Sequence, residues 1–98
     1  MTQASSKSRI QIELPAALRV LADQAERVEL EADDVAEALT VLGQRYPHLL
    51  ARILTRGGQL RPHVKLFVND GDIRHGDGLE TALADGDVII VVPSVAGG

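Results

Sequence analysis

A single amphipathic helical stripe, set between segments that alternate apolar and polar residues, constrains this chain more than any other feature. Asp33 and Asp34 precede Val35, and Glu37 follows Asp34 by three residues. This is a capping-box pattern, in which each side chain satisfies an amide left without a partner in the first helical turn. Val35, Ala38, Leu39, Leu42 and Tyr46 then fall on one stripe before Pro47, which ends the helix because the residue preceding a proline is driven out of helical geometry. One stripe cannot bury itself. It needs an apolar sheet face to lie on, so the flanking segments decide the fold.

Those segments read as strands. Arg9 to Leu14 sets Ile10, Ile12 and Leu14 against Gln11 and Glu13 and ends at Pro15, and Arg27 to Glu31 alternates again through Val28 and Leu30. Period two is the mark of a half-buried strand. The stretch between them, with Leu18, Val20 and Leu21, reads as an irregular connection. Beyond the helix, Leu49, Leu50, Ile53 and Leu54 predict a short helical turn on the same core, with Arg52 and Arg56 on its outer side, before Gly57 and Gly58 break it. Val64 to Asn69 alternates into the turn Asn69-Asp70-Gly71-Asp72. Ile73 and Arg74 then predict a short fourth strand, Leu79, Ala82 and Leu83 a compact turn, and Ala84-Asp85-Gly86-Asp87 a tight turn. Val88 to Val92 is apolar throughout, the pattern of a strand covered on both faces at the centre of a sheet. The order strand, strand, helix, strand, short strand, strand predicts an α+β domain. It fits a ubiquitin-like β-grasp, a mixed sheet of about five strands with one main helix across one face.

At 98 residues, one core is the expectation. The absence of Cys excludes disulfides, Cys-ligated metals and thiol nucleophiles. Tyr46 and Phe67 are the only aromatic residues and the net charge is −4, so there is no row of rings for bases to stack on, and nucleic acid is not an expected partner. His48, His63 and His75 are too far apart for a ligand motif, and the Asp-Gly-Asp turns lack the spaced ligands of a calcium loop. No metal is expected. Met1 to Ser8 carries no apolar run of the kind a secretory signal needs, and Val88 to Val92 is too short to span a bilayer. The expectation is a cytoplasmic protein without membrane contact. Charge is unevenly placed, with Arg45, Arg52, Arg56, Arg61 and Lys65 in a stretch without acids, followed by an acidic segment from Asp70 to Asp87. That basic stretch is either a solvated face or a docking patch for an acidic partner.

No nucleophile, metal set or phosphate-binding loop is evident in the body of the chain, which leaves its end. Pro93 is followed by Ser94-Val95-Ala96-Gly97-Gly98, small and uncharged. A frayed end is the plainer reading of this stretch. The chemical reading is that it delivers its own carboxylate to another protein's active site. Five extended residues reach about 16 Å at ~3.3 Å each, and the missing Cβ atoms of Gly97 and Gly98 leave the terminal carbonyl unhindered. Adenylyl transfer from ATP would turn that carboxylate into a mixed anhydride open to a sulfur or amine nucleophile. The chain is then expected to be a substrate, not an enzyme, with residues 1–8 a disordered start, 9–93 the domain and 94–98 a flexible tail.

Several motifs carry a family resemblance. Val64-Lys65-Leu66-Phe67-Val68-Asn69-Asp70, Asp72-Ile73-Arg74, Gly78-Leu79-Glu80-Thr81, Leu83-Ala84-Asp85-Gly86-Asp87 and the ending Pro93-Ser94-Val95-Ala96-Gly97-Gly98 resemble the ThiS/MoaD family of ubiquitin-like sulfur carriers. The first 60 residues are similar in element order alone. The resemblance implies that an E1-like adenylyltransferase and sulfurtransferase uses ATP to adenylate Gly98, and that a persulfide or sulfide converts the adenylate to a thiocarboxylate. The sulfur then passes to an acceptor enzyme. Gly97 gives access, Ser94, Val95 and Ala96 thread the partner's channel, and the chain binds no cofactor of its own. Phe67, Arg52, Arg56 and Arg61 are candidates for partner contact. The segment from Pro47 to His63, Gly58-Gln59-Leu60 and the ending with Ser94 are similar to the longer carriers of cysteine biosynthesis, which implies a PLP-dependent cysteine synthase as acceptor. The small subunit of molybdopterin synthase shares the ending, and its large subunit is the alternative acceptor. A ubiquitin-like modifier conjugated through Gly98 and a purely non-covalent interaction domain are the other readings.

Overall fold

A computed structural model describes residues 7–93. In chain order the elements are strand β1 (Arg9–Glu13), helix α1 (Ala16–Arg19), strand β2 (Arg27–Glu31), helices α2 (Val35–Arg45) and α3 (Pro47–Ile53), and strands β3 (Val64–Val68), β4 (Gly71–Asp72) and β5 (Val88–Pro93). The strands form one mixed sheet in the order β2-β1-β5-β3-β4. β1 and β5 run parallel, and the other pairs are antiparallel. This is the expected β-grasp arrangement, with the last strand at the centre. Residues 1–6 and 94–98, which hold most of the expected disordered start and all of the tail, lie outside the described residues.

The alternation in the sequence sorts side chains as expected. Ile10, Ile12, Val28, Leu30, Val64, Leu66, Ile89 and Val91 are buried on one face, beneath Val35, Ala38, Leu39 and Leu42 of α2 and Leu49 and Ile53 of α3. Fully burying such aliphatic side chains contributes about 1.5–3 kcal/mol each. α3 lies close to α2 because residue 43 is glycine. A Cβ there would overlap Leu50 Cδ2 and come within 3.2 Å of Leu50 Cβ and Cγ.

The capping box forms with one change of partner. Asp34 accepts from the Glu37 amide at 2.8 Å, but Glu37 returns the favour to the Asp33 amide instead of that of Asp34. Asp34 is held by a bridge to Ala82, and the Val35 amide donates to the Thr81 carbonyl. Glu37 also accepts a hydrogen bond from Lys7, which holds its carboxyl below the ordinary carboxylate range and raises the proton affinity of the Lys7 amine. Ser8 donates to the Leu83 carbonyl, so Lys7 and Ser8 both touch the domain.

Three local expectations are corrected. The stretch after Pro15 is helical: Pro15 opens α1, a 3₁₀ turn follows over Val20–Ala22, and Asp23 and Gln24 leave it with φ of 55° and 68°. Ile73 and Arg74 are not a strand. Asp72 accepts from the Arg74 amide and caps a 3₁₀ turn over Ile73–His75, while the Arg74 guanidinium donates to the carbonyls of Val64 and Arg61, so the two-residue pairing falls on Gly71–Asp72. Finally, β5 is central but covered on one face only, with Val88 and Ile90 partly exposed and Val92 37% exposed. Centrality required partner strands on both edges, and the sequence run was equally compatible with an open face.

Candidate functional site

The face of the sheet turned away from the helices has two unlike halves. On β1 and β2 it is polar and self-paired. Arg27 donates to Glu13 and Gln11 at 3.2 Å each, Gln11 donates to Glu29 at 3.3 Å, and Arg9 lies 3.6 Å from Glu31. On β5 and β3 it is apolar apart from Lys65. Phe67 stands opposite Ile90 and Lys65 opposite Val92, and the strip Phe67, Ile90, Val92 runs along β5 to Pro93 and thus to the root of the tail. Phe67, Val88 and Ile90 stand outside the buried cluster. Ile90 and Val92 were missed in the sequence because the run was read as buried on both faces. The signal that finds them is their register opposite Phe67 and Lys65.

The turns at the far end of β5 hold this strip in place. The Asn69 side chain donates to Asp87 at 2.9 Å and accepts from the Val88 amide at 3.1 Å, and its own amide donates to the Val88 carbonyl. Asn69 has φ of 56°, a left-handed conformation that Asn tolerates better than most residues. Asp87 also accepts from the Ala84 amide, and Asp85 accepts from the Arg9 amide. Gly86, with φ of 89°, completes that turn. Thr81 donates to the Gly78 carbonyl at 2.6 Å. Within these motifs Asn69, Thr81, Asp85 and Asp87 bond to the chain's own backbone, and Asn69 ties the end of β3 to the start of β5.

The predicted basic residues are divided by the fold. Arg52 and Arg61 line a groove with Leu18, His63, Val64 and Pro93, at the root of the tail. Arg61 is held there, its Nε donating to the Ala51 carbonyl at 2.8 Å and its own carbonyl accepting from Arg74. Arg56 lies beyond α3, where it lines a neighbouring groove with Leu50, Leu54 and Arg61. Phe67 lines neither groove. Ser94, Val95, Ala96, Gly97 and Gly98, the predicted reactive segment, lie outside the described residues. Among the described residues there is no cluster of His, Asp and Glu suited to a metal ion, and no helix long and apolar enough to cross a membrane.

The apolar strip thus leads along β5 to Pro93, next in the chain to the predicted reactive segment. The chain is also similar to known proteins. The model of the ThiS family matches residues 12–98. The sulfur carrier protein CysO of Mycobacterium tuberculosis is 32% identical over 91 residues, covering 91% of this chain and 98% of its own. Among solved structures, the small archaeal modifier protein 1 of Methanosarcina acetivorans superposes with a TM-score of 0.83 at 31% identity, over 96% of this chain and all of that one. A chain in the BexX/CysO complex of Amycolatopsis orientalis gives 0.83 at 31% identity, over 91% of this chain and 99% of its own.

Proposed function

Because the chain belongs to the ThiS family, a family of ubiquitin-like β-grasp proteins that includes sulfur carriers, we propose that it carries sulfur as a thiocarboxylate on Gly98. The observation that supports this most directly is the apolar strip of Phe67, Ile90 and Val92, which ends where the tail begins. An E1-like enzyme docks on the strip and draws Ser94 to Gly98 into its active site. The Gly98 carboxylate attacks the α-phosphate of ATP and expels pyrophosphate, which leaves an acyl-adenylate. A sulfide sulfur then attacks the carbonyl and expels AMP, leaving the thiocarboxylate; a persulfide gives instead an acyl disulfide, whose S–S bond a thiol of the partner cleaves, forming a disulfide on the partner and releasing the thiocarboxylate. Gly97 lets the partner's backbone approach closely, and Arg52 and Arg61, in the groove at the root of the tail, steer an acidic partner surface toward it, with Arg56 in the neighbouring groove. This chain supplies the docking surface and the acyl group, and the partner supplies the catalysis.

The acceptor is a PLP-dependent cysteine synthase in this reading, which the similarity to CysO supports. The test is to incubate the chain with an E1-like enzyme, ATP and a sulfide source. Intact mass should show one oxygen exchanged for sulfur, with the change mapped to Gly98 and lost when Gly98 is deleted. An unchanged mass with an enzyme that activates a known carrier would reject the reading. The likeness to a small archaeal modifier protein supports a second role, amide conjugation through Gly98. Stable Gly98-dependent conjugates in cells would establish it.

A further inference from the structure

The edge of the sheet at β2 carries backbone groups that the sheet does not use. β1 and β2 pair in one antiparallel register, and bonds at its two ends fix the phase: the Leu14 amide donates to the Glu26 carbonyl and the Ala32 amide to the Ser8 carbonyl, at 2.9 Å each. Bonded and unbonded pairs alternate along such a ladder. Val28 and Leu30 therefore bond inward to Ile12 and Ile10. The backbone amides and carbonyls of Arg27, Glu29 and Glu31 point the other way, where no described strand follows β2. One of these groups is taken. The guanidinium of Arg45, the last residue of α2, donates through Nη1 to the Glu29 carbonyl at 2.9 Å. Arg45 and Glu29 line a shallow groove there with Leu30 and Val41.

We propose that this edge is a strand-docking surface whose occupant is β2 of a second copy, and that Arg45 is the latch that closes it. The sequence of β2, Arg27-Val28-Glu29-Leu30-Glu31, complements itself when two copies run antiparallel about Glu29. Arg27 of each copy then faces Glu31 of the other, and Val28 faces Leu30, both favourable cross-strand pairs. The register sets residue 29 against 29 and 27 against 31, so the outward amides and carbonyls of the two strands meet in phase. Two five-stranded sheets become one about a two-fold axis. The latch acts at that axis. While Arg45 holds the Glu29 carbonyl, its guanidinium occupies the place of the incoming amide. Glu29 facing its own copy adds like-charge repulsion, a second guard. Such guards are what keep an edge strand from pairing with another chain. β1 separates β2 from β5, so docking here leaves the strip of Phe67, Ile90 and Val92 outside the seam.

The experiment follows self-association of the full chain by sedimentation equilibrium up to millimolar concentration. Arg45→Ala and Arg45→Met both remove the guanidinium, and the second keeps the length of the side chain. Each should lower the dimer dissociation constant roughly tenfold against the native chain, the worth of the two seam bonds freed at Glu29 and at its copy. Hydrogen exchange should slow at the Arg27, Glu29 and Glu31 amides in the dimer. Adding Glu29→Gln should tighten it further. Adding Glu29→Pro instead should abolish it, because the proline removes an outward amide and leaves the bonds to β1 in place. Folded Arg45 variants that associate no more than the native chain, a dimer that survives Glu29→Pro, or protection confined to other strands would overturn the proposal. None of these outcomes touches the carrier reading, which stands or falls on the enzymatic exchange of oxygen for sulfur.

Discussion

The two halves of the open sheet face have the same backbone geometry and opposite chemistry. On β1 and β2 the outward side chains satisfy one another, Arg27 with Glu13 and Gln11, and Gln11 with Glu29. On β3 and β5 the outward side chains are Lys65, Phe67, Val88, Ile90 and Val92, of which Phe67, Val88 and Ile90 are half-buried and Lys65 and Val92 exposed. A sheet face that meets water permanently is clothed in polar pairs, as the first half is. An apolar strip kept open beside such a half is not a failure of composition. On the proposed carrier function it is the surface a partner covers, and its direction along β5 leads to the root of the tail.

The sharpest way to break this comparison is to truncate neighbours on β3 that point to opposite faces. Leu66 is fully buried, so Leu66→Ala should cost about 2–5 kcal/mol of stability, read as a lowered urea midpoint. Phe67→Ala should cost less than about 1 kcal/mol of stability, the size of a cross-strand pair. It should instead weaken activation by the E1-like partner by about 2 kcal/mol, roughly 30-fold in kcat/KM, the cost of truncating an aromatic anchor. If Phe67→Ala shifts the urea midpoint as far as Leu66→Ala and leaves activation intact, the apolar half belongs to the fold and not to a partner.

The comparison also depends on β3 and β5 being clamped together at one end. Asn69→Ala removes the side-chain bonds to Asp87 and Val88 and puts alanine at φ of 56°. The expected loss is about 2 kcal/mol, about half from hydrogen bonds and half from backbone strain. Asn69→Gly should recover the strain part. Equal losses in the two variants would show that the conformation of residue 69 carries no strain.

A smaller effect is expected on the polar half. Glu13→Ala removes the partner of Arg27, and both side chains are well exposed, so the loss should be below about 1 kcal/mol and should shrink in high salt. Activation by the partner should not change. A loss of activation in Glu13→Ala comparable to that in Phe67→Ala would merge the two halves into one docking surface.

Much of this contrast was legible in the sequence alone. Alternation sorted Ile10 and Ile12 from Gln11 and Glu13, and Leu66 from Phe67, because side chains on a strand alternate strictly. The helix start was legible because a cap is a local hydrogen bond. What stayed hidden was set at a distance. Val88 to Val92 carries no alternation, so its open side was invisible until register placed Ile90 against Phe67. Ile73 and Arg74 read as a strand because nothing nearby shows that the Arg74 guanidinium spends its donors on Val64 and Arg61. The four residues of α1 are too few for a helical period to declare itself. The role proposed for the tail rests on Gly97 and Gly98 in the sequence, while the strip that leads toward it was half found, through Phe67 alone.

The smallest expected effect lies where the domain meets its amino-terminal segment, and it varies with pH. Lys7 donates to Glu37, and the Asp33 amide adds a second hydrogen bond, so the Glu37 carboxyl holds its charge to lower pH than its ordinary value of 4.5. A depressed folded-state value means that the unfolded chain binds the proton first. The contribution is therefore complete above pH 4.5 and disappears as the pH falls through the folded-state value. Lys7 mirrors this on the alkaline side, its contribution complete below its ordinary 10.5 and lost as the pH rises through the raised folded-state value. Glu37→Gln keeps an oxygen for the Asp33 amide and removes only the charge. Urea midpoints of the native chain and this variant should differ slightly and by a constant amount through the neutral range, then converge below pH 4.5. Midpoints that stay equally far apart at acid pH, with no convergence as the carboxyl takes up its proton, would show that Glu37 stabilises the helix start through hydrogen bonding alone, and that Lys7 is bound there by shape instead of charge.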